Sequence, residues 1–184
     1  MHGSPERLAT ESHHYTLCEC ANRQIAEQAL TLLRPHFPQL APPFEEALSL
    51  RPPCRFELLG PVILDVAHNP AAFTALVARL DQTKKRFLVG LCRDKDLPGC
   101  LKVLIPVASH IHLVQACGES IRERAASPQA LAEVLKELKF ADYSCHETVA
   151  EGMRSALLSR EALVVCGSFY IMQEARRFSN GDLS

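Results

Sequence analysis

From Cys54 onward, short apolar runs alternate with amphipathic stretches that open on a capping residue, and this alternation limits the possible folds more than any other feature. Val62, Ile63 and Leu64 form a continuous apolar run, the pattern of a strand buried on both faces. Asn69 follows as a helix cap and Pro70 as a first helical residue. Phe73, Leu76, Val77 and Leu80 recur at i, i+3, i+4 and i+7, which predicts an amphipathic helix to about Asp81. The same reading predicts strands over Phe56–Leu59, Val62–Asp65, Arg86–Leu91, His110–Gln115, Tyr143–His146 and Ala162–Cys166. Between them it predicts helices over Leu97–Ile105, from Pro128 with Leu131, Val134, Leu135 and Leu138 inward, over Val149–Leu158, and from Ser168 to about Arg177. Such a succession implies an α/β fold: an open, mostly parallel, Rossmann-like sheet with helices on both faces.

The chain ahead of Cys54 is different. Residues 1–16 are polar, and Ile25, Ala29, Leu32 and Leu33 predict one helix over Asn22–Arg34, stopped by Pro35. Six of the 12 prolines fall in residues 35–53, which marks a linker, interrupted at most by a helical turn over Phe44–Leu50. The expected organisation is a helical stub over 1–34, a Pro-rich linker over 35–53 and an α/β domain over 54–184.

Charge and composition exclude several classes of function. With 20 basic and 21 acidic residues and no basic block, nothing supports a nucleic-acid surface or a membrane-attracted face. No apolar run reaches the ~20 residues of a membrane span, and residues 1–7 lack the apolar core of a secretory signal. A cytoplasmic protein is expected. The 8 cysteines form no disulfide framework, since Cys92, Cys117 and Cys166 fall in or beside strands, where a reduced thiol behaves as a small hydrophobe.

The 8 glycines are scattered, so neither a phosphate loop nor a G-x-G-x-x-G fingerprint exists. Asp65 and His68 are the leading candidates for chemistry. They fall at the carboxyl end of a strand just ahead of a helix N-terminus, where open α/β sheets bind ligands and where anions are favoured. The same two residues could instead orient the strand–helix turn. Asp94, Lys95 and Asp96 follow a second strand, with Asp96 placed to cap the next helix. Ser168 reads as a cap, not a nucleophile, because no G-x-S-x-G surrounds it. His13, His14, Cys18 and Cys20 supply zinc-ligand types in a spacing that fits no common zinc module, so no metal site is expected.

Five segments resemble, in order, the C-terminal domain of folylpolyglutamate synthase/dihydrofolate synthase in the Mur ligase superfamily. Leu64-Asp65-Val66-Ala67-His68-Asn69-Pro70 is similar to its signature. Pro53-Cys54-Arg55-Phe56-Glu57 resembles Pro-Gly-Arg-Phe/Leu-Glu with Cys54 in place of glycine, and Gly90–Asp96 resembles Gly-x-x-x-Asp-Lys-Asp. Arg124-Ala125-Ala126-Ser127 resembles a Pro-Arg-Ala segment with Glu123 in place of proline, and Gly167-Ser168-Phe169-Tyr170 a closing Gly-Ser-Phe/Leu-Tyr turn. Upstream, Asn22, Ala26, Ala29 and Leu30 resemble the end of the family's central ATPase domain, although the Gly-x-His-Gln before that asparagine is replaced by Thr16-Leu17-Cys18-Glu19.

The resemblance implies an ATP-dependent amide ligase. ATP and Mg would activate a folate or dihydropteroate carboxylate as an acyl phosphate, which the amino group of L-glutamate attacks. It implies that Asp65 contacts the ribose, His68 lies beside the nucleotide, Arg55 reaches the phosphates and Asn22 faces the nucleotide from the stub. Asp94, Lys95, Asp96 and Ser168 would position glutamate or close the domain. The phosphate loop and Mg ligands would belong to an ATPase domain ahead of residue 1, leaving this chain inactive alone and an apolar surface near Asn22–Leu33. For Arg55 a solvated arginine remains the competing reading. For the whole chain the alternatives are a non-enzymatic nucleotide- or partner-binding module and a free-standing enzyme using Asp65 and His68 as an acid/base pair.

Overall fold

A computed structural model describes residues 17–39, 52–116 and 123–181, with the side chains of 17–19 left aside. Phe44–Leu50, Cys117, His13 and His14 lie outside the described residues. The chain divides into two compact units between Pro53 and Cys54.

In the first unit a helix, α1, spans Leu17–Leu33. It starts five residues before the expected Asn22, because the apolar spacing marks a stripe and not the helix end. Arg23 Nε meets Glu27 Oε1 at 2.8 Å one turn on, a pair worth a few tenths of a kcal/mol on a solvated helix. Ile25 (64% exposed) and Leu32 (74%) leave apolar side chains in the open.

The second unit is a six-stranded sheet ordered β1-β2-β6-β3-β4-β5. Strands β1 (Arg55–Leu59) and β2 (Val62–Asp65) form an antiparallel hairpin, turned by Gly60 at φ +58. Beyond it β6 (Leu163–Cys166), β3 (Lys85–Val89), β4 (Ala108–Leu113) and β5 (Tyr143–Cys145) all run parallel. Helices α2 (Pro70–Val77), α3 (Leu97–Leu104), α4 (Pro128–Glu137) and α5 (Val149–Leu157) fill the connections, and α6 (Phe169–Ser179) follows β6. Each opens on a side-chain cap, from Asn69, Asp96, Ser127, Thr148 and Ser168 in turn. Such a cap is worth about 1 kcal/mol.

Two apolar layers sandwich the sheet. Phe73 and Leu76 of α2, Leu101 and Leu104 of α3, and Leu131 and Leu135 of α4 pack on Ile63, Phe87, Ile111 and Val164. On the other face Val149 and Met153 of α5 with Ile171 and Met172 of α6 pack on Leu64, Leu88 and Val165. Strand β6 is fully buried along its length, which is why its sequence runs apolar without alternation.

In this second unit the strand and helix order matches the expectation, and the bounds that move do so by one to four residues. β3 and β4 start one and two residues early and end two residues early. α2 stops at Val77, yet Leu80 is still buried, because the turn after the helix carries it back onto the core.

Candidate functional site

The register places the carboxyl ends of β2, β6 and β3 level, with Asp65 and Val89 both opposite Cys166. From there β2 leads to α2 and β3 toward α3 on one face, while β6 leads to α6 on the other. Neighbouring connections that part to opposite faces leave a crevice at the strand ends. All five motif segments lie along this edge.

Asp65 is half-buried and accepts two backbone N–H groups, from Phe56 at Oδ2 (3.0 Å) and from Ala67 at Oδ1 (2.8 Å). Burial raises its pKa above the ordinary carboxylate value, while those amides and the charges of Arg55 and Arg79 pull it down. Each carboxylate oxygen keeps a lone pair for a further donor. His68 donates from Nδ1 to the Val66 carbonyl oxygen at 2.9 Å, since a carbonyl can only accept. That fixes Nε2 as the ring's second, acceptor nitrogen in the neutral form. Asn69 caps the helix, its Oδ1 accepting from Ala72 N at 2.9 Å.

Arg55 is exposed and sits between two residues in the left-handed region, Cys54 at φ +60 and Phe56 at φ +54. A non-glycine residue there carries strain of about 1–3 kcal/mol. The turn is held by Glu57, whose Oε2 accepts from Cys54 N at 2.8 Å while Oε1 accepts from Arg176 Nε at 3.0 Å. Val66 N–H donates to Cys54 O at 2.9 Å, and Arg79 lies 3.9 Å over the Phe56 ring. The first two segments therefore form one corner, with Arg55 opposite Asp65 in the hairpin register and its charge offsetting part of the rise that burial gives the carboxyl.

The other corner is built from the third and fourth segments. Arg93 N–H donates to Arg124 O at 2.7 Å and Ala126 N–H to Leu91 O at 2.9 Å, which lays residues 124–126 along 91–93. Arg124 donates to Asp94 Oδ2 at 3.0 Å, and Lys95 Nζ stands 3.7 Å from the same atom. The Arg124 hydrogen bond holds the Asp94 carboxyl below its usual range. Asp96 caps α3, accepting from Gly99 N at 2.9 Å. Ser168 is buried and accepts from Tyr170 N at 3.3 Å, the capping geometry expected of it. Gly167, at φ +114, lets the fifth segment lie against the third: a Cβ there would stand 2.5 Å from Gly90 O.

Asn22 lies exposed on α1, in the other unit. Cys20 is exposed, and among the described residues no group of three His, Cys, Asp or Glu side chains could hold a metal ion. No described helix is long and apolar enough to cross a membrane.

Residues 54–169 match the family described as "Mur ligase, glutamate ligase domain". The chain belongs to that family. Curated relatives include the dihydrofolate synthase/folylpolyglutamate synthases of Escherichia coli, 31% identical over 128 residues, and Haemophilus influenzae, 30% over 129. Each alignment takes in 64% of this chain and 28% of the relative's length. Among solved structures, the bifunctional folylpolyglutamate synthase/dihydrofolate synthase of Yersinia pestis complexed with AMPPNP and Mn ion superposes with TM-score 0.62 at 30% identity. That match spans 72% of this chain and 33% of the neighbour.

Within this Mur ligase domain the structure adds four residues not singled out from sequence. Glu57 was visible only as a letter of its motif; Arg176 and Arg79, distant in sequence, carried no signal. Arg124 stood in a matched segment, and its partner Asp94 stood in another, but only the fold shows that they pair.

Proposed function

We propose that this chain is the C-terminal domain of an ATP-dependent amide ligase that adds L-glutamate to a folate or dihydropteroate carboxylate through an acyl phosphate. What carries the reading is the meeting of the five motif segments on one sheet edge inside a domain of the glutamate ligase family. The whole reaction needs a nucleotide-holding ATPase domain, and the chain spans under a third of its curated relatives.

The residues present suit one side of a nucleotide. Asp65 has lone pairs left for ribose hydroxyls, His68 offers Nε2, and the exposed Arg55 can fork onto phosphate oxygens. A guanidinium that arrives only on domain closure stabilises charge that develops during phosphoryl transfer. Asn22 would face the nucleotide from α1. Lys95, with Asp94 and Asp96, would position glutamate, and Ser168 would hold the closing turn. Among the described residues no group of three His, Cys, Asp or Glu side chains could hold a metal ion, and the magnesium ligands would belong to the ATPase domain. When bound in the complete enzyme, ATP supplies the activating phosphoryl group.

The competing reading is a non-enzymatic module that binds nucleotide or a partner, favoured by the capping work that already occupies Asp96 and Ser168. Purified chain should show no glutamate-dependent ATP hydrolysis with dihydropteroate or tetrahydrofolate. Grafting residues 54–184 onto the E. coli relative in place of its own domain should restore turnover, and Asp65→Ala in the graft should remove it. Turnover by the chain alone would overturn its dependence on a second domain, a graft that restores no turnover would favour the module, and an active graft indifferent to Asp65→Ala would remove Asp65 from the site.

A further inference from the structure

A second group of titratable side chains lies on the α5–α6 face of the sheet, outside the candidate site. His110 and His112 project to one face of β4, and Ser144 stands opposite His112 in the parallel register, with His146 two residues on. His112 is 1% exposed. Ser144 Oγ lies 3.1 Å from His112 Nδ1, 2.9 Å from His146 Nε2 and 3.0 Å from His110 Nε2. The His112 and His146 nitrogens are themselves 2.9 Å apart. Behind His112, Arg86 brings a guanidinium nitrogen to 3.5 Å from Nε2 and is held in turn by Glu161 at 3.2 Å.

One set of neutral tautomers satisfies all of these contacts. A guanidinium only donates, so His112 Nε2 accepts and Nδ1 carries the hydrogen. Ser144 Oγ then accepts from His112 Nδ1–H and His110 Nε2–H and donates to His146 Nε2, which uses both lone pairs and its one hydrogen. In this arrangement all three imidazoles are neutral, and no buried side-chain nitrogen or oxygen among the described residues lacks a partner. An added proton has no good place on His112 or His146. On His146 Nε2 it would set one N–H against another across 2.9 Å; on His112 Nε2 it would face Arg86.

The surrounding charges are mixed. Burial is the largest influence on each ring and lowers all three pKa values, that of His112 to about 3. Arg86 on β3 and the neighbouring imidazoles act in the same direction on His110 and His112. Asp142 ahead of β5 and Glu161 ahead of β6 favour a proton on His110, and Glu151 on α5 favours one on His146.

We propose that this His110–His112–Ser144–His146 knot is an acid-sensitive latch that holds β5 and the first turn of α5 on the sheet while His112 and His146 are neutral and releases them when either takes a proton. β5 is a three-residue edge strand, tied to β4 by Ile111 N–H to Asp142 O and His146 N–H to Leu113 O, both 2.9 Å. Release reaches α6 as well, because Ala150 N–H donates to Glu174 on that helix at 3.1 Å. Each proton taken up only on opening lowers the closing constant about tenfold per pH unit.

Amide hydrogen exchange by NMR on the full chain, near pH 7.5 and near pH 5, tests this directly. Once corrected for intrinsic rates, residues 143–152 should lose roughly tenfold or more protection on acidification relative to β3 and β6. His146→Gln, which keeps an acceptor oxygen without a titrating nitrogen, should weaken that pH dependence, and Ser144→Ala should loosen the segment already at neutral pH. Histidine rings titrating at ordinary midpoints with β5 protection unchanged would overturn the latch. Protection lost evenly over the whole sheet would overturn it equally.

Discussion

Two histidine-bearing places in one sheet use their polar atoms in opposite ways. At the carboxyl edge, His68 spends one ring nitrogen on Val66 O, and Asp65 keeps lone pairs beyond its two amide contacts. Between β4 and β5, the three imidazoles turn their bonded nitrogens on each other and on Ser144. The first arrangement can meet a ligand; the second is complete within itself. Burial also drives them apart in acid. It raises the Asp65 pKa and lowers those of His110, His112 and His146.

The glycines under the two regions should separate them most strongly. Gly167→Ala places a Cβ 2.5 Å from Gly90 O at φ +114, a backbone clash with no rotamer to relieve it. We expect about 3 kcal/mol or more of destabilisation by urea unfolding. Gly152→Ala, beneath the knot, meets Leu88 Cδ1 at 2.4 Å, a side-chain end that can turn aside, and gains helix propensity. It should cost under about 1 kcal/mol; a loss equal to that of Gly167→Ala would break the contrast.

Acid gives the next largest effect. The folded-state pKa of His112 lies below its unfolded value, so its contribution is fully present above about pH 6.5 and fades as pH falls toward about 3. Near pH 5 the loss from this ring is about 2 kcal/mol, measurable as a falling urea midpoint. For Asp65 the sign reverses: its raised folded pKa makes the charged form a cost, which is relieved as pH falls through that raised pKa toward the ordinary carboxylate value. His112→Phe should flatten the first slope and leave the second.

Asp65→Ala strands the amides of Phe56 and Ala67 and should cost about 1–3 kcal/mol, with chemical-shift changes confined to residues 54–69. The smallest effect belongs to Cys54. Replacing it by glycine trades buried thiol contacts for relief at φ +60, so the melting temperature should barely move, within about 1 kcal/mol. Cys54→Val, branched at Cβ, should lower it clearly.

Most of the fold could be read from local pattern. Asn69-Pro70, Asp96, Ser127-Pro128, Thr148 and Ser168 each start a helix through a bond to an amide two or three residues away, so each needs only its own segment. Element ends were less legible, as Leu80 shows, because periodicity records burial and a turn can bury a residue as well as a helix can. The candidate site was half legible. Asp65 and His68 announce themselves by lying between strand and cap, whereas the clamp on Arg55 joins Glu57 to Arg176 across 119 positions.

By itself, then, the sequence determined the α/β alternation, the caps and the segments that mark the family, since these depend on short-range hydrogen bonding and on the period of apolar residues. Only the tertiary structure decided the strand order that brings β6 between β2 and β3, the meeting of Gly90 with Gly167, the Asp94–Arg124 pair and the closed histidine knot. The physical reason is reach. Parallel strands are hydrogen-bonded to partners far along the chain, and which loops meet at their ends is set by packing the two helical layers, not by any residue's neighbours.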